Sequence, residues 1–176
     1  MSITINMKKY IILSVAALLA ACGGKTDGEA AAQLAPKPVF RVKYIDTAAL
    51  QGLALEQPEN GQDEAGKPVA DYLIADMEQP NHIRLTGKHS NDLEAISGKC
   101  LEAGKTDWQA QSVCRTLFEQ LVANIAEDAD KLSDYLIGHA GLQPQQSGSG
   151  YAAVQNGRYV LELDSEGRFT FRRRHY

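Results

Sequence analysis

Asn156-Gly157 stands between two stretches in which apolar and polar side chains alternate, and this leaves the C-terminal part few options besides an antiparallel hairpin. Residues 151–155 lead in, and residues 158–164 lead out with Tyr159, Leu161 and Leu163 on one face. Ser165-Glu166-Gly167 marks a second turn, after which 168–173 places Phe169 and Phe171 together. The pattern predicts a three-stranded meander. The Gln/Ser/Gly-rich stretch 143–150 reads as a linker leading into it.

Upstream, the spacing turns helical. Asn91 with Glu94 three residues later has the form of a capping box, and Leu93, Ile96, Cys100 and Leu101 share one helical face that stops at Gly104. Thr106 with Gln109 repeats the signature ahead of a stripe formed by Cys114, Leu117, Phe118, Leu121, Val122 and Ile125. A third helix, or a continuation, runs through Leu132, Leu136 and Ile137 to Gly138 and Gly141. Before these, residues 39–45 alternate Phe40, Val42 and Tyr44 with Arg41 and Lys43, the period of a half-buried strand. Asp46 is an N-cap type before a short helical turn. Residues 56–67 read as a charged loop, 69–77 as helical with Leu73 and Met77 four apart, and 82–86 as a short strand.

The N-terminus is of another kind. Lys8 and Lys9 precede an apolar run at 10–21, and no acidic residue occurs before Asp27. A bilayer-spanning helix needs about 20 apolar residues, so this run is too short. A charged start, an apolar middle and a small-residue end are the layout of a secretory signal, with Met7 as its functional start. Leu19-Ala20-Ala21-Cys22 resembles the lipobox of bacterial lipoproteins at all four positions. The resemblance implies a signal peptide at 1–21 that is removed, a diacylglycerol on the Cys22 sulfur and an acyl chain on its new amine. Anchoring becomes stable with more than one chain. Gly23 rather than aspartate behind Cys22 implies the outer membrane of a Gram-negative bacterium, with the protein facing the periplasm or the cell surface. Residues 22–38 then form a flexible tether and 39–176 a single globular domain.

With Cys22 assigned to lipid, Cys100 and Cys114 remain as a pair in a compartment where disulfides persist; two independent buried thiols are the alternative. A bond between them pins the end of one expected helix to the early turns of the next. The expected fold class is therefore α+β: a central antiparallel helical hairpin, pinned by the disulfide and packed on a small antiparallel sheet that includes the C-terminal meander. The strand at 39–45 is expected at the edge of that sheet.

Of the 18 basic residues, Lys8 and Lys9 leave with the signal, so 22 acidic residues leave the mature chain at −6. That balance does not fit a nucleic-acid binder. The exception is 158–176, which holds five arginines. Arg168, Arg172, Arg173 and Arg174 read in two ways: as a solvated strand edge that discourages unwanted pairing, or as a strip for an anionic partner. Such a partner would be a lipid headgroup, a glycan carboxylate or an acidic protein surface.

Catalytic motifs are weak. Gly104-Lys105-Thr106 ends like a phosphate-binding loop, but Gly98 stands one residue too far upstream and a helix is expected where a strand is needed. His89-Ser90-Asn91-Asp92 gathers a base, a hydroxyl and a carboxylate, yet sequence neighbours seldom face one another productively, and a helix cap explains them at less cost. His82 and His139 lie beside breaker residues without metal-ligand spacing, so neither a metal nor a cofactor is expected. The sequence reading is a non-catalytic, membrane-anchored envelope lipoprotein that binds or assembles with another envelope protein, glycan or lipid. Two alternatives stand beside it: an inhibitor or decoy of a host factor at the cell surface, and an envelope hydrolase acting on cell-wall material through His89 or His82.

Overall fold

The computed structural model describes residues 38–43, 45–77, 80–105, 108, 110–142 and 151–174. The expected signal, Cys22, the tether up to residue 37 and the linker at 143–150 lie outside the described residues. Seven strands form one antiparallel sheet: β1 (Glu59–Gln62), β2 (Pro68–Leu73), β3 (His82–Thr86), β4 (Ala95–Lys99), β5 (Tyr151–Asn156), β6 (Tyr159–Asp164) and β7 (Arg168–Arg173). Their order is β1-β2-β3-β4-β7-β6-β5, so two meanders meet where β4 lies beside β7. Two helices, α1 (Val113–Ile125) and α2 (Ala129–Leu142), carry the chain from β4 to β5.

Strand register explains the core. Ala70, Leu85, Ile96, Phe171, Leu161 and Val154 stand in one row across six strands. Tyr72, Ile83, Gly98, Phe169, Leu163 and Ala152 form the next row on the same face. Side chains directly opposite in a sheet share a face, so these rows make one apolar surface. The helices cover it. Cys114, Leu117, Phe118, Leu121, Val122 and Ile125 are the buried stripe of α1, and Leu132, Leu136, Ile137 and Ala140 are buried on α2. Phe118 joins the layers, with its ring 5.6 Å from Trp108 and 5.8 Å from Phe169.

The expected fold class is corrected by this arrangement: the protein is mostly sheet with two short helices, not a central helical hairpin on a small sheet. Residues 95–99, expected within a helix, are strand β4, and 68–73 are strand β2. The capping-box pair of Asn91 and Glu94 lies in the loop between β3 and β4, where Leu93 N–H donates to the Ile45 carbonyl at 3.0 Å and Glu94 N–H to the Thr86 carbonyl at 2.8 Å. Part of the expected loop at 56–67 is strand β1, which pairs with β2.

The segment at 39–45 does not join a sheet edge; the edges are β1 and β5. Val42 instead bridges Ala126, Lys43 N–H donates to the Ile125 carbonyl at 2.7 Å, and Glu127 N–H donates to the Arg41 carbonyl at 2.8 Å. Phe40 is buried there. The segment is thereby tied to the turn between α1 and α2.

Cys100 and Cys114 are joined as a disulfide. Because 95–99 is strand, the bond ties the end of β4 to the first turn of α1, rather than one helix to another. The expected helical turn after Asp46 is present as a 3-10 turn, Thr47–Leu50, with the Asp46 carboxylate accepting from Ala48 N–H at 2.8 Å.

Candidate functional site

The open face of the sheet carries the residues that alternate with the core rows. Asp71 of β2 lies opposite Arg84 of β3, and the guanidinium donates to both carboxylate oxygens at 2.7 and 2.8 Å. On β6, Glu162 accepts from Arg172 at 3.2 and 3.3 Å and from the Tyr151 hydroxyl at 2.7 Å. Burial, and then that hydrogen bond, push the Tyr151 phenol up to about 12. Arg168 donates to Asp164 at 2.7 Å and reaches Glu166 at 2.6 Å. These pairs cancel charge locally across the face, and exposed pairs of this kind add little stability.

The four C-terminal arginines singled out from the sequence are divided by this geometry. Arg168 lies at the start of β7 and Arg172 near its end, each against carboxylates on the open face. Arg173 turns to the loop before β4 and meets Asp92 at 2.6 Å; its Nε is buried with no hydrogen-bond partner. Arg174 donates through Nη1 to Gln155 Oε1 at 3.1 Å, and its backbone N–H donates to the Arg158 carbonyl at 2.6 Å. Arg158 sits just past the Gly157 turn and is exposed. The sequence reading did not single it out, although the hairpin register alone brings it to Arg174.

The three described histidines stand apart. His82 opens β3, His89 lies in the loop before β4 beside Asp92, and His139 is on α2, stacked on Tyr135 at 3.9 Å with Nδ1 2.6 Å from the Tyr135 carbonyl. Among the described residues, no group of three or more histidine, cysteine or carboxylate side chains is placed to hold a metal. No described helix is long and apolar enough to cross a membrane.

A groove of about 470 Å³ opens between the segment after the 3-10 turn and the first turns of α1. Leu53, Ala54, Ile74 and Leu117 supply apolar walls, and Val113 and Thr116 lie at its margin on α1. None of its described lining residues is titratable, and its walls are mainly apolar. Glu102 closes the neighbouring end of α1: Oε1 accepts from Val113 N–H at 2.8 Å and Cys114 N–H at 3.3 Å, while Oε2 meets the Lys105 ammonium. The chain matches no family model, no curated protein and no solved structure.

Proposed function

We propose that this chain is a membrane-anchored, non-catalytic envelope lipoprotein whose domain binds or assembles with another envelope component. The observation that carries the proposal is the state of the cysteines. Cys100 and Cys114 are paired with each other, so the third cysteine is the one that stands at the lipobox position. A structural disulfide also fits an oxidising compartment, which is where a secretory signal would deliver the domain. The non-catalytic part rests on the separate locations of His82, His89 and His139.

Intact-mass analysis of the chain extracted from membranes tests the anchor. The proposal expects a polypeptide beginning at Cys22 with a diacylglyceryl and an N-acyl group, and transfer of the protein to the soluble fraction in Cys22→Ala. A mature chain that begins elsewhere, or carries no fatty acid, overturns it. Cross-linking in intact cells followed by mass spectrometry then asks for the envelope partner directly.

A further inference from the structure

Arginines gather where the chain enters the domain. Val39 is 80% exposed and Phe40 is 1% exposed, so the passage from solvent to core occurs between them. The Phe40 carbonyl accepts a hydrogen bond from Asn156 Nδ2 at the β5–β6 turn. Arg158 closes that turn and its carbonyl holds Arg174 N–H, with Arg173 one residue earlier. Arg41 follows Phe40 directly; it is exposed, and its closest carboxylate, Glu127, is 3.8 Å away. Four guanidinium groups from three segments thus share one end of the domain. The described acidic groups there are Asp92, paired with Arg173; Glu94, whose carbonyl accepts from Arg173 N–H and whose carboxylate is paired with Lys67; and Glu127 and Asp128 in the α1–α2 turn.

We infer that this end docks on the anionic lipid headgroups of the leaflet that holds the Cys22 acyl chains. The inference rests on the lipid-anchored reading above and adds to it an orientation for the domain. Connectivity favours lipid over a protein partner. Pro38, the first described residue, stands two positions before Phe40 at this same end, and the chain from Cys22 to Pro38 can span at most roughly 60 Å. An acylated Cys22 would therefore keep the end of the domain that carries Pro38 within that reach of the headgroups. Guanidinium forks match phosphate oxygens, and a basic cluster near an anionic surface is attracted over about one Debye length, roughly 8 Å at physiological salt. Each arginine near such a surface strengthens binding by about fivefold.

The test uses residues 22–176 carrying Cys22→Ser, which cannot be acylated. The core lies between Phe40 and Phe171, so this chain keeps every residue of it. Flotation is measured with vesicles of phosphatidylethanolamine containing about one-third phosphatidylglycerol, and with neutral phosphatidylcholine vesicles, at low and at roughly 0.5 M salt. The expected result is binding to the anionic vesicles at low salt only. Arg41→Gln/Arg158→Gln/Arg174→Gln should bind about a hundredfold more weakly with an unchanged thermal midpoint. Arg84→Gln, on the open sheet face, should bind like the parent.

Equal binding to neutral vesicles, no binding to anionic ones, or an unaltered triple variant overturns the inference. If the triple variant loses its fold, the salt and headgroup dependence of the parent decides. Retention on an immobilised acidic protein without vesicle binding also overturns it, and assigns the cluster to a protein partner. Acylation of Cys22 is measured separately on membrane extracts. An acylated chain whose domain ignores anionic vesicles removes only the docking surface, whereas a non-acylated chain that binds them removes only the anchor.

Discussion

Gly98 occupies the inward slot of β4 between Ile83 on β3 and Phe169 on β7, and the Phe169 ring lies across it. A Cβ built there would stand 2.6 Å from the His82 carbonyl oxygen and 2.6 Å from Phe169 Cζ. One of these neighbours is backbone held in the β3–β4 ladder, and the other is a buried ring in contact with Phe118, so neither has room to retreat. Gly98→Ala is therefore expected to cost about 1–3 kcal/mol through overpacking, read as a lower urea midpoint with an unchanged slope. A stability within a few tenths of a kcal/mol of the parent would show that the ring moves aside freely. Gly167 is restricted for a second reason: its φ of +82° is left-handed, and a side chain would run into the Cys100 carbonyl, which is held close because Cys100 N–H donates to the Gly167 carbonyl at 2.9 Å.

Gly98 also explains why the central strand imitates a helix in the sequence. The inward residues of β4 are Ile96 and Gly98, and a glycine adds nothing to an alternating hydrophobic signal. With Gly98 silent, Leu93, Ile96 and Cys100 fall at spacings of three and four and imitate a helix, although Leu93 belongs to a loop. In β2, Val69 and Leu73 lie on the open face while Ala70 and Tyr72 face inward, so apolar residues on both faces erase the period of two. Strand β1, with the sequence Glu-Asn-Gly-Gln, is exposed throughout and is held only by its ladder to β2, a tertiary pairing that local composition does not report. Where each face was chemically distinct, the pattern and the structure agree on the elements: the β5–β6 hairpin forms, its turn one residue later than expected at Gly157-Arg158 because Asn156 still pairs with Tyr159, and the α1 stripe runs from Cys114 to Ile125. Of the candidate site residues, the sequence could present the arginines as a row, but their carboxylate partners come from β6 and from the β3–β4 loop and needed the fold.

The start of α1 shows a cap supplied from outside the helix. Ser112 holds the N-cap position without a side-chain capping bond, and Glu102, from the loop after β4, accepts from Val113 and Cys114 instead. Burial raises the pKa of Glu102, but Lys105 and the two amide donors outweigh it, and the net shift is downward. A carboxyl with a depressed native pKa stabilises the fold fully above its unfolded value, about 4.3, and loses that contribution as pH falls through the native value. Glu102→Gln should thus cost about 1 kcal/mol at pH 7, within the range of lost caps, and the side chain is only 13% exposed, so salt will screen the effect little. Urea midpoints of parent and variant should converge as pH drops below about 4. A gap that persists unchanged to low pH would mean that the charge on Glu102 is not what holds the helix end.

Taken as one body, the sheet depends on a single internal joint, the five-residue ladder between β4 and β7, with the two meanders on either side of it. The helices reinforce that joint unevenly. α2 lies against β5 and β6, while Phe118 of α1 reaches Phe169 on β7. The 3-10 turn and Asn81 connect the other half: Asn81 is buried, exchanging hydrogen bonds with the Leu101 peptide at 3.0 Å each, and Asn124 of α1 donates to the Ala49 carbonyl at 2.9 Å. These ties, together with one continuous core, predict that the two meanders unfold together. The chain's one tryptophan makes this measurable, because Trp108 packs on Phe118 and donates to the Asp164 carbonyl at 2.8 Å, reporting on the C-terminal meander. Ile83→Ala, in β3 of the other meander, removes a fully buried side chain at an expected cost of about 2–5 kcal/mol. If the joint transmits, tryptophan fluorescence and far-UV circular dichroism shift by the same amount in this variant and remain superimposable along the urea axis. A fluorescence midpoint that stays at the parental value while the dichroism splits into two steps would mean that β1–β4 detach first. The β4–β7 ladder would then be a seam between two folding units rather than the middle of one.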